Sequence, residues 1–143
     1  MTTAEENSNN LQWELCSLFH DKMFVLLPQQ TEDMSDDFAN KVYPYAKKPQ
    51  VMKCLQDVPL YFTFSIYPQI LANYDVRAAI GNTKDIIERV HPTSIIEKVN
   101  VLKYTNNWTG WFSYATHSSD KDFYNVMYVT PVNGQLMFGT GMC

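Results

Sequence analysis

Apolar and polar residues alternate along residues 11–16. Leu11, Trp13 and Leu15 fall in one row, Gln12, Glu14 and Cys16 in the other. That period of two predicts a strand, over residues 11–19. A second apolar run of strand length covers residues 22–28, with His20-Asp21 between the two. Two residues between strand-like runs predict a hairpin, and Pro28 ends its second strand because proline cannot donate to a ladder. Residues 60–68 form a further strand, with Phe62, Phe64 and Ile66 on one face and Tyr61, Thr63, Ser65 and Tyr67 on the other.

Two stretches follow a helical period instead. In residues 35–46, Ser35 supplies a cap, Asp36 and Asp37 complement the helix dipole, and Phe38 with Val42 makes an apolar stripe that Pro44 ends. Residues 74–92 carry the longer pattern. Val76, Ala79, Ile80, Thr83, Ile86, Ile87 and Val90 recur at steps of three and four, with Asp75 as the expected cap. Gly81 interrupts this helix at a cost of about 1 kcal/mol relative to Ala, tolerable where the helix packs closely on a sheet.

The remaining runs are strands: a short one within residues 47–55, then 95–105, 108–116, 123–132 and 135–142. Asn133-Gly134 is the strongest turn signal among their connections, since both residues tolerate positive φ. The fold class predicted is α+β: an antiparallel sheet, made of an N-terminal hairpin and a C-terminal meander, packed with two helices. Residues 1–10 read as a flexible polar leader and residues 11–143 as a single domain.

Composition narrows the function more than the fold. With 45% hydrophobic residues and a net charge of -4, the chain has material for one core and no basic stripe for a phosphate backbone. Nucleic acid is therefore not an expected partner, and no run reaches the roughly 20 apolar residues of a membrane span. The acidic, polar start is unlike a signal peptide, which points to the cytoplasm. Cys16, Cys54 and Cys143 lack the paired spacing of a zinc site or a disulfide framework and read as free thiols.

His20, His91 and His117 all lie at predicted element ends, and none belongs to a nucleophile or metal motif. Residues 117–122, His-Ser-Ser-Asp-Lys-Asp, lack the spacing of a calcium loop and read as a hairpin tip. Residues 81–85 lack the pattern of a phosphate-binding loop. The expectation is a protein that is not an enzyme and has no cofactor or metal.

The N-terminal segment Leu-Phe-His-Asp-Lys-Met-Phe-Val-Leu-Leu-Pro, residues 18–28, resembles the opening of the Mog/PsbP-like fold family. There a strand, a tight turn often of two glycines, and a strand ending in Leu-Pro precede a short helix. Residues 123–143 are similar to the last hairpin of small, uncharacterised bacterial members from gut Firmicutes. His20-Asp21 stands where the family has its glycine pair. The resemblance implies the α+β fold, and a protein-binding role rather than an enzymatic one. Its fold relatives include a Ran-binding nuclear transport factor, photosystem II extrinsic proteins and chaperones of type VI secretion effectors.

The expected function is a non-catalytic protein-binding, adaptor or chaperone-like module that engages a protein partner or a second copy. Its candidate face is on the meander: Trp111, Ser113, Tyr124, Val126 and Tyr128. Both rows of these strands are partly apolar, more than a one-sided sheet requires. The alternative is a small-molecule or lipid carrier, with a pocket between the long helix and the sheet lined by Phe62, Phe64, Ile86, Phe112 and Met127.

Overall fold

The computed structural model describes residues 12–44, 46–55, 58–104, 106–117 and 122–143. The leader expected at residues 1–10 and most of the tip at 117–122 lie outside them. The described elements are β1 (Trp13–Leu18), β2 (Met23–Pro28), β3 (Glu32–Asp33), α1 (Asp36–Val42), β4 (Val51–Cys54), β5 (Tyr61–Ile70), α2 (Val76–Val90), β6 (Asn100–Lys103), β7 (Trp108–His117), β8 (Asp122–Val132) and β9 (Gln135–Met142). Strands β1 and β2 pair only with each other. The other seven form an antiparallel sheet in the order β3-β4-β5-β9-β8-β7-β6. The α+β class read from the periodicities is the observed one.

Register determines what each face of that sheet carries, because directly opposed residues point the same way. Phe64 opposes Gly139, which opposes Tyr128, which opposes Trp111. This face takes the hairpin: Leu18 and Leu27, with Cys16, Met23 and Val25, pack on Phe62, Phe64, Ile66, Met137 and Tyr128. The opposite face takes the helices. Val76, Ile80 and Ile87 of α2 close over Phe112, Tyr114 and Val129, while Ala39 of α1 packs with Cys54 and Tyr61. The molecule is thus three layers, with the large sheet in the middle.

Four local expectations need correction. The hairpin turn has four residues, since Leu18 pairs with Met23. Phe19, His20 and Asp21 take φ of 56°, 54° and 64°, a run of left-handed residues without glycine. The Asp21 carboxylate steadies that turn by accepting a hydrogen bond from the Ser17 hydroxyl. Asp75 does not cap α2: it belongs to a 3-10 turn over Asn73–Asp75 and makes no side-chain cap bond. Its carboxylate instead accepts from the Ala72 N–H at 3.4 Å.

Of residues 95–105, only Asn100–Lys103 is strand. Ile96 makes an isolated bridge to Tyr114, and the register has slipped by one residue when pairing resumes at Asn100 opposite Trp111. Glu32–Asp33, in the acidic run before α1, pairs with β4 as a two-residue edge. Ser35 caps α1 as expected, its hydroxyl accepting from the Phe38 N–H at 3.2 Å.

Gly81 faces open space: beyond its chain neighbours and its own helix backbone, no atom lies within 4 Å of where a Cβ would stand. The close approach of α2 to the sheet happens at Gly110 of β7 instead. Gly81→Ala should therefore stabilise the fold by about 1 kcal/mol through helix propensity alone. Urea unfolding checks this; a loss of stability would mean that the helix surface at residue 81 is not free.

Candidate functional site

The five candidate residues lie on one face of the sheet. The β7–β8 register sets Trp111 against Tyr128, Ser113 against Val126 and Ala115 against Tyr124. Its exposure is uneven, however. Ser113 is buried at 3% and Tyr124 is open at 51%, with Trp111, Val126 and Tyr128 in between. The hairpin layer accounts for Tyr128, since it packs on that ring from the β5–β9–β8 side of this face.

Tyr128 is held by a gap in the neighbouring strand. A Cβ on Gly139 would stand 2.3 Å from the Tyr128 ring, so the phenol occupies the space that a side chain would take. Phe64, on the other side of Gly139, meets the Tyr128 ring edge-on at 6.4 Å. Burial pushes the Tyr128 hydroxyl pKa above the ordinary tyrosine range, because the phenolate would be poorly solvated there.

Beside this ring an apolar groove of about 320 Å³ runs between β2 and the sheet. Leu26 and Leu27 form one wall; Phe62, Tyr124, Val126 and Tyr128 form the floor. Three of the five sequence-predicted residues, Tyr124, Val126 and Tyr128, thus meet at one groove. Trp111 and Ser113 stay outside it.

Sequence reasoning missed the larger surface that joins this groove. On the outer face of the hairpin, Trp13, Leu15, Phe24 and Leu26 are exposed at 57%, 63%, 56% and 61%. The β1–β2 register sets Leu15 opposite Leu26, and Trp13 and Phe24 fall in the same row. Leu26 belongs to both the outer patch and the groove, so the two are continuous. A signal was present: β2 reads Met-Phe-Val-Leu-Leu-Pro, apolar in both rows, and a two-stranded layer can bury only one of them.

The carrier pocket is not where its lining was expected. Phe62 and Phe64 point to the hairpin side, Phe112 is fully buried under α2, and Ile86 is exposed on the outside of the helix. Only Met127 of these lines a cavity on the helix side, about 500 Å³ in volume, between the end of α2, Tyr43 and residues 47–50.

The histidines do not converge on a thiol. His20 lies in the β1–β2 turn, His91 ends α2 with its ring 6.0 Å from that of Tyr114, and His117 Nδ1 meets Asp122 Oδ1 at 2.8 Å on the surface. The Cys54 thiol is pushed up in pKa by burial and by the nearby charges of Glu32 and Asp33, which keeps it protonated and weakly nucleophilic. Among the described residues, no three His, Cys, Asp or Glu side chains gather where they could hold a metal ion. No helix among them is long and apolar enough to cross a membrane.

No family model matches the chain, and no curated protein does. The chain is similar to a solved structure, the solution structure of cyanobacterial PsbP (CyanoP) from Synechocystis sp. PCC 6803. The TM-score is 0.59, over 91% of this chain and 79% of that one, at 13% sequence identity. At that identity the likeness concerns the fold alone. The fold is PsbP-like, as the N-terminal motif and the order of elements imply.

Proposed function

We propose that this protein is a non-catalytic, cytoplasmic protein-binding module, acting as a single domain over residues 11–143. It would receive an apolar segment of another protein on the hairpin and in the groove beneath it. One observation carries this reading: the outward row Trp13, Leu15, Phe24 and Leu26 runs without a break into the groove floored by Tyr124, Val126 and Tyr128. Contiguous apolar surface of this kind, on a layer that already buries its other face, marks an interaction site rather than leftover core. Cys16, Cys54 and Cys143 are free thiols, which suits a reducing compartment.

The occupant is read as a segment, not a flat face, because a groove of about 320 Å³ has room for a few side chains. Anchors of this size, aromatic and aliphatic in a pocket with a polar surround, supply most of the energy at protein interfaces. Leu26→Asp tests the site. Its side chain is mostly exposed, so the variant should keep its stability to within about 0.5 kcal/mol. It should lose the partners that the wild-type chain retains in affinity capture, and Arg77→Glu, a control at an exposed position on α2, should not. Equal retention by a folded Leu26→Asp variant would reject the site. A stable dimer abolished by Leu26→Asp would identify the occupant as a second copy instead.

A further inference from the structure

The cavity on the helix side differs in chemistry from the groove. It lies where α1 and α2 leave the sheet uncovered, and the sheet there turns polar. Thr63, Ser65 and Asn125 are buried and, with Thr140, form its floor. Elsewhere on the same face, under α2, the corresponding positions are Phe112 and Val129. Burying hydroxyls and an amide there costs free energy unless each finds a hydrogen-bond partner, a cost that an apolar floor would not carry.

The floor groups are held in place. The Thr63 and Thr140 hydroxyls bond each other across β5 and β9. Asn125 Nδ2 lies within donating distance of the Tyr114 carbonyl at 3.4 Å, Thr116 Oγ1 at 3.2 Å and the Phe123 carbonyl at 3.5 Å, which fixes its amide at the floor. The wall is fixed as well. Gln50 pairs with the Ile66 backbone in both directions, at 2.8 and 3.0 Å, and its own N–H donates to Ser65 Oγ at 3.1 Å. That clamp sets residues 47–50 against β5, with Lys47 and Lys48 at the cavity rim.

Charge narrows the ligand further. The chain is acidic overall, at -4, yet among the described residues that line the cavity are Lys47 and Lys48 and no Asp or Glu. Met127, Phe138 and the ring of Tyr114 complete it with apolar and aromatic surface. From basic rim, hydroxyl and amide floor, and apolar walls together, we infer that the cavity binds a small organic carboxylate with a hydroxylated aromatic or aliphatic body. The carboxylate meets Lys47 at the rim and the body descends to Thr63, Thr140 and Asn125. Its volume is in the range of roughly 300–1,000 Å³ that suits small-molecule sites.

The test uses 4-hydroxyphenylacetate and its neutral amide as probes, followed by protein amide NMR shifts. The carboxylate should shift Ser65, Asn125 and Met127 saturably, with a Kd on the order of 1 mM or tighter. The amide should bind at least about fivefold more weakly. Lys47→Glu with Lys48→Glu, both on the rim, should erase that preference while leaving the fold intact, and Met127→Trp should block both probes. The inference is overturned if carboxylate and amide bind alike, if the lysine variant keeps the preference, if shifts map to Leu26 and Tyr124, or if no saturable shift occurs up to about 10 mM. None of these outcomes depends on protein binding at the hairpin.

Discussion

Gly110→Val should destabilise the protein by about 3 kcal/mol, the upper end of the usual cost of overpacking a core. A Cβ at this position would stand 2.7 Å from Ile80 Cγ2 and 3.0 Å from both Ile80 Cβ and Val76 Cγ1. Ile80 and Val76 are completely buried and branched at Cβ, so neither can rotate away cheaply. The helix α2 must lift from β7, and the contacts of Ile80 with Phe112 and Val129 loosen with it. Thermal unfolding should show a drop of about 10 °C. Ile80→Ala removes the nearest methyl, so the double variant should lose less than the sum of the single losses. A folded Gly110→Val within about 0.5 kcal/mol of wild type would mean that α2 does not seat on this strand as described.

Gly139→Val should cost about 2–3 kcal/mol and, in addition, close the binding groove. The new Cβ would lie 2.3–2.6 Å from Cζ, Cε2 and Oη of Tyr128, so the ring must move. Phe64 stands on its far side, and the open direction is the groove below Leu26 and Leu27. Loss of stability should be partly relieved by Tyr128→Ala, whereas partner binding should be lost in Gly139→Val alone.

A spectroscopic sign accompanies this. In the wild type, burial holds the Tyr128 pKa above the ordinary value of 10.0, and freeing the ring should lower it. The raised pKa also sets a pH dependence. Below about pH 10 both folded and unfolded chains carry the neutral phenol, and the full contribution to stability is present. As pH rises past that value the unfolded chain ionises first, so stability falls. Phenolate absorbance and urea midpoints between about pH 9 and 11 measure both effects. An unchanged Tyr128 titration in Gly139→Val would show that the ring had not been displaced.

Much of this architecture is legible in short-range pattern. Period two put Trp111 in one row and Phe112 in the other, and the register kept them apart. The three- and four-residue steps of residues 76–90 foretold Val76, Ile80 and Ile87 as the buried stripe, although Ile86 and Val90 lie outside it because the stripe is narrower than the pattern. What periodicity does not contain is the identity of the layer that covers each face. Phe62, Phe64 and Ile66 read as core, and they are buried or half-buried, but by the hairpin rather than the long helix. The helix side of β5 carries Thr63 and Ser65, which is why Phe62 and Phe64 do not line a pocket under the long helix.

Glycine tells the same lesson at a smaller scale. Gly81 interrupts a helix, yet it has space around it; Gly110 and Gly139, in strands, are the ones that neighbouring side chains press on. Those contacts are long-range, made with Ile80 and Tyr128, and no local pattern encodes them. The outward row of the hairpin was closer to reach. Once β2 is seen to be apolar in both rows, one row of a two-stranded layer must face away from the sheet.

The central claim, that the hairpin face and its groove hold another protein, is tested most directly by photo-crosslinking in the organism that makes the protein. A benzophenone amino acid placed at residue 26 is compared with the same group at residue 77, an exposed position on α2. The prediction is a discrete adduct with a different protein from position 26 that disappears when Phe24→Asp is added, and none from position 77. No adduct at position 26, or the same adducts from both positions, would contradict it.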